Sequence, residues 1–600
     1  MTSIPRLSDH AATSPRNSGR TVGKYFQSVF IMGLISFVLA GGVGSRLFYL
    51  QLVQGDRNRQ LADDNRIRLL PKPPERGRIL DRAGNVLAEN RVSYGVYFWP
   101  FDSDEANREE LITRLAKILE LPSQDIRDRL EQAGDNSPTL VRIARDVGPR
   151  ELTALLEYQS ELPGVQIEAE TERVYPNGDL AAHVLGYTGE INEEDLDDLR
   201  DQGYRLGDIV GQSGAEIAFE ADLRGEWGGQ QVEVDGTGQV LQVLGEKPPQ
   251  RGSDVYLTLD LALQKAAEQA LGDLRGAVVA IDPRNGAVRA MVSRPTYDPN
   301  VFATSISREE WQRLQQLEFP LVNRALQGFP PASTFKFVTT SAAIESGTYS
   351  PNAILPTFAY YEMGGIRFGD WNRAGFGPLG FVGAIAWSSD TFFYQTAVKM
   401  GGETLIDWTR RYGFGEKTGI ELWREEAAGL VPDDAWKREN IGEPWYPGDS
   451  INMSIGQGYL LASPLQVAVM FAVVANGGDL VTPHVLYDGD LGQNWRTPIG
   501  ISDVTMQILE DGARRVLTGG TGIKVNSPLV PLAGKSGTAE DPPRLSHAWF
   551  GAYGPYNDPQ REPEIVVVAF GENSGGGGSG TTGPIVREIL EAYFEIYPYP

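Results

Sequence analysis

Hydrophobic positions are spread unevenly along this chain, and the first cluster is the densest. Between Lys24 and Arg46 lie 21 uncharged residues, Tyr25 to Ser45, most of them apolar. A helix needs about 20 such residues to cross the hydrocarbon core of a bilayer. The run exceeds the roughly 7–15-residue apolar core of a signal peptide, and Gly41-Gly42-Val43-Gly44 is a poor cleavage site. An uncleaved membrane anchor is therefore expected. Arg6, Arg16, Arg20 and Lys24 precede it, and Arg46, Arg57, Arg59 and Arg66 follow closely. Flanking charge alone therefore leaves its orientation open.

From Gln51 to about Gln250 the pattern is mixed. Ala83-Gly84-Asn85 reads as a turn between short extended stretches. Leu111, Leu115 and Leu119 recur at helical spacing in Glu109–Leu119, and further helices fit Pro149–Tyr158 and Glu216–Leu223. Charge runs such as Glu193-Glu194-Asp195 suit solvated helix faces, and no chemistry is legible in this stretch. After Gln250 the texture becomes α/β-like. Asp254–Leu259 predicts a strand and Asp260–Leu271 a helix. Gly276–Asp282 and Ala287–Ser293 predict a hairpin whose turn contains Asn285-Gly286. Glu564–Phe570 predicts a buried strand. Gly575–Gly580 then reads as a tight loop before a helix at Pro584–Tyr593.

Composition narrows the function classes. The 600 residues carry 79 acidic and 54 basic side chains, a formal charge of −25, which disfavours a non-specific nucleic-acid binder. There are no cysteines, so disulfides, thiolate metal sites and cysteine nucleophiles are excluded. The four histidines (His10, His183, His484, His547) form no metal-ligand motif, and no metal or cofactor is expected. The 69 glycines and 38 prolines imply many turns. At one domain per roughly 100–200 residues, three or four units are expected.

Candidate chemistry sits in three short motifs. In Pro330-Pro331-Ala332-Ser333-Thr334-Phe335-Lys336 the prolines suit a helix start, and Gly347 suits its end. Ser333 and Lys336, three apart, share a helix face. A serine hydroxyl becomes a nucleophile only with a base in reach, and a lysine serves as base when burial or a second cation lowers its pKa. Alone, this pair is a weak signal against a solvated surface lysine. Trp387-Ser388-Ser389-Asp390 alone reads as a helix cap opening a run to Met400. Gly534-Lys535-Ser536-Gly537-Thr538 mimics the tail of a phosphate loop, but Leu529 occupies the position where that loop needs its first glycine.

In this order the three are far more specific. S-x-x-K, then Ser-x-Asn (here Asp390), then K-[ST]-G is the set carried by penicillin-recognising serine acyltransferases, which this chain resembles from about Gln250 onward. Ser450-Ile451-Asn452-Met453-Ser454-Ile455-Gly456-Gln457-Gly458 looks like a further segment of such transpeptidases. The membrane anchor, Arg76-Gly77-Arg78-Ile79-Leu80-Asp81-Arg82-Ala83-Gly84 and Gly211-Gln212-Ser213-Gly214-Ala215-Glu216 resemble class B, monofunctional penicillin-binding proteins. Arg173-Val174-Tyr175-Pro176 and His183-Val184-Leu185-Gly186-Tyr187 are similar to elongation-type members of that class.

The resemblance implies an α+β protein with a single transmembrane helix, an extended α/β pedestal, and a transpeptidase domain whose central antiparallel sheet is flanked by helices. The corresponding segments are a cytoplasmic tail (1–24), an anchor (25–48), a non-catalytic pedestal of the dimerisation type (49–250) and a transpeptidase domain (251–600). The acidic body then lies outside the cytoplasmic membrane, in the periplasm, on a single-pass anchor. The implied activity is D,D-transpeptidation of peptidoglycan stem peptides during elongation. Ser333 would be acylated, with Lys336 as its base. Ser388 would pass the proton, Asp390 would fix both lysines, and Lys535 would be the cation that keeps Lys336 neutral. Ser536, Gly537 and Thr538 would bind substrate along an edge strand, with Gly537 letting the ligand approach. The N–H groups of Thr538 and Ser333 would form an oxyanion hole. Implied partners are lipid-linked and nascent peptidoglycan, β-lactams, a SEDS-type membrane glycosyltransferase and other elongation-complex proteins. Competing readings are a septal transpeptidase, a β-lactamase or carboxypeptidase, and a β-lactam sensor. Two departures stand out: Asp390 replaces the usual Asn, and Phe376 and Ser389 stand where some relatives carry metal-binding His and Cys near Asp370, so no metal is expected there.

Overall fold

The computed structural model describes residues 18–54, 67–98, 105–133, 141–204, 208–234, 240–303, 306–487, 489 and 495–599. Most of the expected cytoplasmic tail, residues 1–17, lies outside the described residues, as do Arg57, Arg59 and Arg66. The chain divides into two compact units, residues 1–73 with 227–249, and residues 74–226 with 250–600.

The first unit carries helix α1 (Ser18–Phe48), extended by a wider turn at Tyr49–Val53. Its apolar side chains are exposed all round, Phe30 at 73% and Phe37 at 77%. A helix apolar on every side and packed against nothing is one built for lipid. Among the described residues, Val29–Val53 is long and apolar enough to cross a membrane. Strands Ile67–Lys72, Gly228–Val234 and Val240–Lys247 form a three-stranded antiparallel sheet in this unit.

In the second unit, strand Val86–Phe98 pairs with both Val141–Ala144 and Val165–Val174. Helices Glu105–Ile118, Ser123–Ala133 and Pro149–Glu157 cover these strands. The periodic Leu111, Leu115 and Leu119 are buried there against Val96, Phe98 and Ile143, the packing that their spacing encodes. The helix expected at Glu216–Leu223 is two short helices, Gly214–Ala218 and Glu220–Leu223, broken at Phe219.

Glu216, fully buried, is the centre of an ionic cluster. Its carboxylate accepts Arg76 Nε at 2.7 Å, Arg173 Nε at 2.6 Å and the Tyr175 hydroxyl at 3.2 Å. Burial pushes this carboxyl up, yet the two guanidinium groups together hold it below its ordinary range. Gly77, beside Arg76, passes so close to Ser253 that a Cβ would lie 1.8 Å from the Ser253 carbonyl oxygen. The pedestal motifs therefore build a buried joint.

Helix α2 (Leu261–Leu271) opens on Asp260, whose carboxylate accepts the Ala262 and Leu263 N–H groups, the usual N-cap device. Strands β1 (Gly276–Ile281) and β2 (Val288–Arg294) form the expected hairpin. Farther on come α3 (Lys336–Glu345), α4 (Phe381–Trp387), α5 (Asp390–Met400), α6 (Pro464–Ala475) and α7 (Asp503–Gly519). The chain ends in β3 (Ala533–Ala539), β4 (His547–Gly554), β5 (Ile565–Gly571) and α8 (Gly578–Ile596). The antiparallel sheet runs β2-β1-β5-β4-β3, leaving β3 at the edge.

Side chains on a strand alternate between faces. A Cβ on Gly551 of β4 would strike Phe471 of α6, whereas the next residue back, Phe550, packs near Gly583 of α8. The two helices therefore cover opposite faces, which is why β5 is buried at every residue and reads as an unbroken apolar run. Helix α8 starts six residues earlier than the expected Pro584, inside the glycine tract. A Cβ on Gly578 would lie 2.0 Å from the Trp549 carbonyl oxygen, so the first turn abuts the sheet where only glycine fits.

Candidate active site

The segment before the first motif is strained. Ala332 adopts φ +53°, a left-handed conformation unusual for a residue with a side chain. Its N–H donates to Gly456 O at 2.9 Å, and a Cβ on Gly456 would lie 2.2 Å from Ala332 O. The Ser450–Gly458 segment thus clamps this turn. It also braces α3, because Thr339 Oγ1 donates to Ser454 O at 2.7 Å. Ala332–Phe335 form a single 3-10 turn where an α-helix was expected, and α3 begins at Lys336. In a 3-10 turn positions i and i+3 eclipse. Ser333 thereby sits directly over Lys336, half-buried, above a fully buried lysine.

Lys336 Nζ donates to Asp390 Oδ1 at 2.7 Å, Ser388 O at 2.9 Å and Ser388 Oγ at 3.1 Å. These three acceptors use all three protons of an ammonium, and Ser333 Oγ is not among them. Lys535 Nζ donates to Ser388 Oγ at 3.0 Å and to Ser536 O at 2.8 Å. Ser388 Oγ thus lies between two lysines. Its two lone pairs are both taken, which leaves its own O–H free to donate. Ser388 reaches this position because it ends α4 in a left-handed conformation, φ +54°.

Burial holds the Lys535 ammonium well below the ordinary lysine value, and the neighbouring Lys336 charge pushes it further down against the pull of Asp390. Burial also raises Asp390, opposed by Lys336 and Lys535. Lys336 therefore pairs directly with Asp390, while Lys535 is the buried amine held well below its ordinary value. The two lysines differ in position: Asp390 touches Lys336 directly, while Lys535 meets only neutral oxygens.

Helix α5 opens at Asp390 with Ser389 at its N-cap position, but the capping carboxylate comes from Asp370. Asp370 Oδ2 accepts Ser389 Oγ at 2.9 Å and both Thr391 N and Thr391 Oγ1 at 3.0 Å. That oxygen is occupied by protein donors, and Phe376 sits between the rings of Trp371 and Trp387. Among the described residues no cluster of three His, Cys, Asp or Glu side chains could hold a metal ion.

The third motif lies on β3, at the sheet edge, with β4 on its other side. Ser536 Oγ and Thr521 Oγ1 are 3.0 Å apart, and Thr538, exposed, accepts the Gly578 N–H at 3.3 Å. A Cβ on Gly537 would point inward, 3.2 Å from each of Pro331 O, Ala332 Cβ and Trp549 Cβ. Glycine at 537 therefore also makes room for the turn that carries Ser333. The sequence does not reveal Asp370 as a helix cap, Gly456 as a clamp, or Thr521 beside Ser536. No local spacing signals them, since each acts across the fold.

The family model described as "Penicillin-binding Protein dimerisation domain" matches residues 71–257, and "Penicillin binding protein transpeptidase domain" matches residues 276–591. The chain is similar to the peptidoglycan D,D-transpeptidase MrdA of Acinetobacter baumannii, 35% identical over 93% of this chain and 85% of that one. It is also similar to MrdA of Escherichia coli strain K12, 35% identical over 94% of this chain and 93% of that one. Among solved structures, PBP2 in its complex with MreC from Helicobacter pylori covers 88% of this chain and all of its own at a TM-score of 0.79 and 29% identity.

Proposed function

The chain belongs to the penicillin-binding proteins, with both their dimerisation and transpeptidase domains, and on that premise we propose the following account of its activity. It is a serine peptidoglycan D,D-transpeptidase of the elongation type. A donor stem ending in D-Ala-D-Ala lies along the free edge of β3, where an extended peptide can add as a further strand. Ser333 Oγ attacks the penultimate carbonyl carbon, a C–O bond forms, and the C–N bond to the terminal D-Ala breaks. The N–H groups of Ser333 and Thr538 stabilise the oxyanion, a contribution worth about 10²–10³ in rate per donor.

Lys336 takes the Ser333 proton, for which it must first be neutral. The hydrogen-bonded series Lys336–Ser388–Lys535 supplies the route, because a proton passed from Lys336 through Ser388 to Lys535 leaves Lys336 unprotonated. Asp390 then balances whichever lysine is charged. The free O–H of Ser388 delivers a proton to the leaving amine, and an amine from a neighbouring stem resolves the ester. The observation that carries this reading is Ser388 Oγ held at 3.1 Å and 3.0 Å from the two lysines.

Helix α1 is a single-pass anchor in this reading, with the body on the outer side of the cytoplasmic membrane. The transpeptidase domain makes cross-links and no glycan strands, so a SEDS-type membrane glycosyltransferase is the partner that supplies them. The H. pylori relative was solved with MreC, and an elongation-complex partner of that kind fits this chain. The test is reconstitution of the full chain with lipid-linked substrate and such a polymerase. Cross-linked dimers of stem peptides are expected, and trimmed monomers alone would identify a carboxypeptidase instead.

A further inference from the structure

Three aromatic rings stand together at the surface beside Ser388. Trp371 is 55% exposed and Trp387 38%. The Phe376 ring lies 5.3 Å from the first and 5.9 Å from the second, nearly parallel to Trp387 at 26°. Trp371 Nε1 donates to Trp387 O at 3.0 Å, which fixes the two indoles relative to each other. None of the three belongs to the hydrophobic core. Both ends of the cluster are tied to the proposed active site. Trp387 immediately precedes Ser388, and Trp371 immediately follows Asp370, which caps the helix that carries Asp390. Two exposed indoles grouped around a half-buried phenyl ring make an apolar surface patch, a feature that marks binding sites.

We propose that Trp371, Phe376 and Trp387 form the subsite for the acceptor stem, the strand whose primary amine resolves the acyl-enzyme. The inference rests on the transpeptidase reading above and adds the recognition of its second substrate. The argument is one of microscopic reversibility. The leaving amine departs with a proton from Ser388, so the attacking amine must surrender its proton along the same path and must enter at Ser388. The donor occupies the β3 edge, where Lys535, Ser536 and Thr538 stand. The aromatic rings stand elsewhere, Trp387 at the end of α4 and Trp371 and Phe376 on the loop that follows Asp370.

Their chemistry fits the second substrate. Before deprotonation the acceptor amine is an ammonium on an aliphatic stem, and ring faces attract such a cation while packing its methylenes. In the step itself the amine nitrogen attacks the ester carbonyl carbon, and a C–N bond forms as the Ser333 Oγ–C bond breaks. The proton lost by nitrogen returns through Ser388 to Ser333 Oγ, and no electrons are transferred.

The experiment uses the full chain in detergent, an acyl-D-alanyl thioester as donor, and a stem tetrapeptide with one free side-chain amine as acceptor. It measures how the acyl-enzyme partitions between amine and water, with penicillin acylation of the same samples recorded in parallel. In a Trp371→Ala, Phe376→Ala double variant the amine-to-water product ratio should fall at least about tenfold at low acceptor concentration. Raising the acceptor should recover it, while penicillin acylation slows by no more than about threefold. Trp371→Phe, which keeps a ring but loses the indole N–H, should hold the ratio within about twofold. An unchanged ratio in the double variant overturns the inference, as does a proportional fall in acylation and aminolysis, which would make the rings mere braces of Ser388. A wild-type chain that captures no penicillin would instead overturn the transpeptidase reading on which it rests.

Discussion

A Cβ on Gly537 would lie 3.2 Å from the carbonyl oxygen of Pro331, two residues before the candidate nucleophile. The edge strand and the Ser333 turn therefore touch through a contact that any side chain would wedge apart. Backbone atoms cannot step aside as a flexible side-chain tip can.

Gly537→Val is accordingly expected to shift the nucleophile itself. Overpacking of this kind costs about 1–3 kcal/mol, and the strained Ala332 has little freedom to absorb it. Thermal melting should fall by several degrees, and penicillin acylation by at least the 10²–10³ associated with a lost oxyanion donor. Stopped-flow acylation alongside a melting curve checks both. A variant as stable as wild type that has lost only acylation would favour a ligand clash over a displaced turn.

Lys535 gives a prediction in which stability and activity move apart. Burial holds its folded pKa well below the ordinary lysine value, so folding is opposed wherever the unfolded chain keeps that proton. That cost is largest at low pH and fades as pH rises toward the unfolded lysine value of about 10.4. Lys535→Met should therefore match or exceed wild type in stability at pH 7, with the margin shrinking as pH rises toward 10. Acylation should fall by about 10²–10⁴, the scale for loss of a proton-transfer group. Denaturant melts between pH 6 and 10 read the first, penicillin capture the second.

Asp390→Asn keeps a hydrogen-bond acceptor beside Lys336 and removes the charge that holds its ammonium. The neutral base should then persist to lower pH, so the acid limb of the acylation profile moves down by about one unit, the effect of losing a nearby opposite charge. A pH–rate profile of penicillin acylation measures this. An unmoved limb would mean that Asp390 does not set the charge of Lys336.

Glu216 lies far along the chain from these residues, and its prediction concerns folding. With Glu216→Gln, Arg173 is left buried without its carboxylate partner, while Arg76 keeps only Glu220, 2.7 Å away. Breaking a buried ion pair in this way costs about 3–5 kcal/mol. Equilibrium denaturation should show a loss of that size, while the fraction that still folds acylates normally.

These residues also mark what could be read before any coordinates were known. Ser333 and Lys336 announce each other because three residues make one turn, and Ser388 with Asp390 stands at a recognisable helix start. The β5 strand is legible because burial on both faces leaves it no polar alternation. Other features are tertiary and leave no local trace. The left-handed Ala332 is held by Gly456, more than a hundred residues later, and the cap of α5 comes from Asp370 across a loop. Which lysine pairs with Asp390 depends on a distance that no spacing encodes. The early start of α8 follows from contact between Gly578 and β4, and glycine tracts in sequence say only that the chain can bend.

The central claim is that Ser333 carries the acyl group, and peptide mapping after penicillin capture tests it most directly. The full chain, incubated with penicillin, digested and examined by mass spectrometry, should show one adduct on the peptide containing Ser333 and Lys336. Ser333→Ala should show none while melting at the wild-type temperature. An adduct on any other residue, or one that survives in Ser333→Ala, would contradict the account.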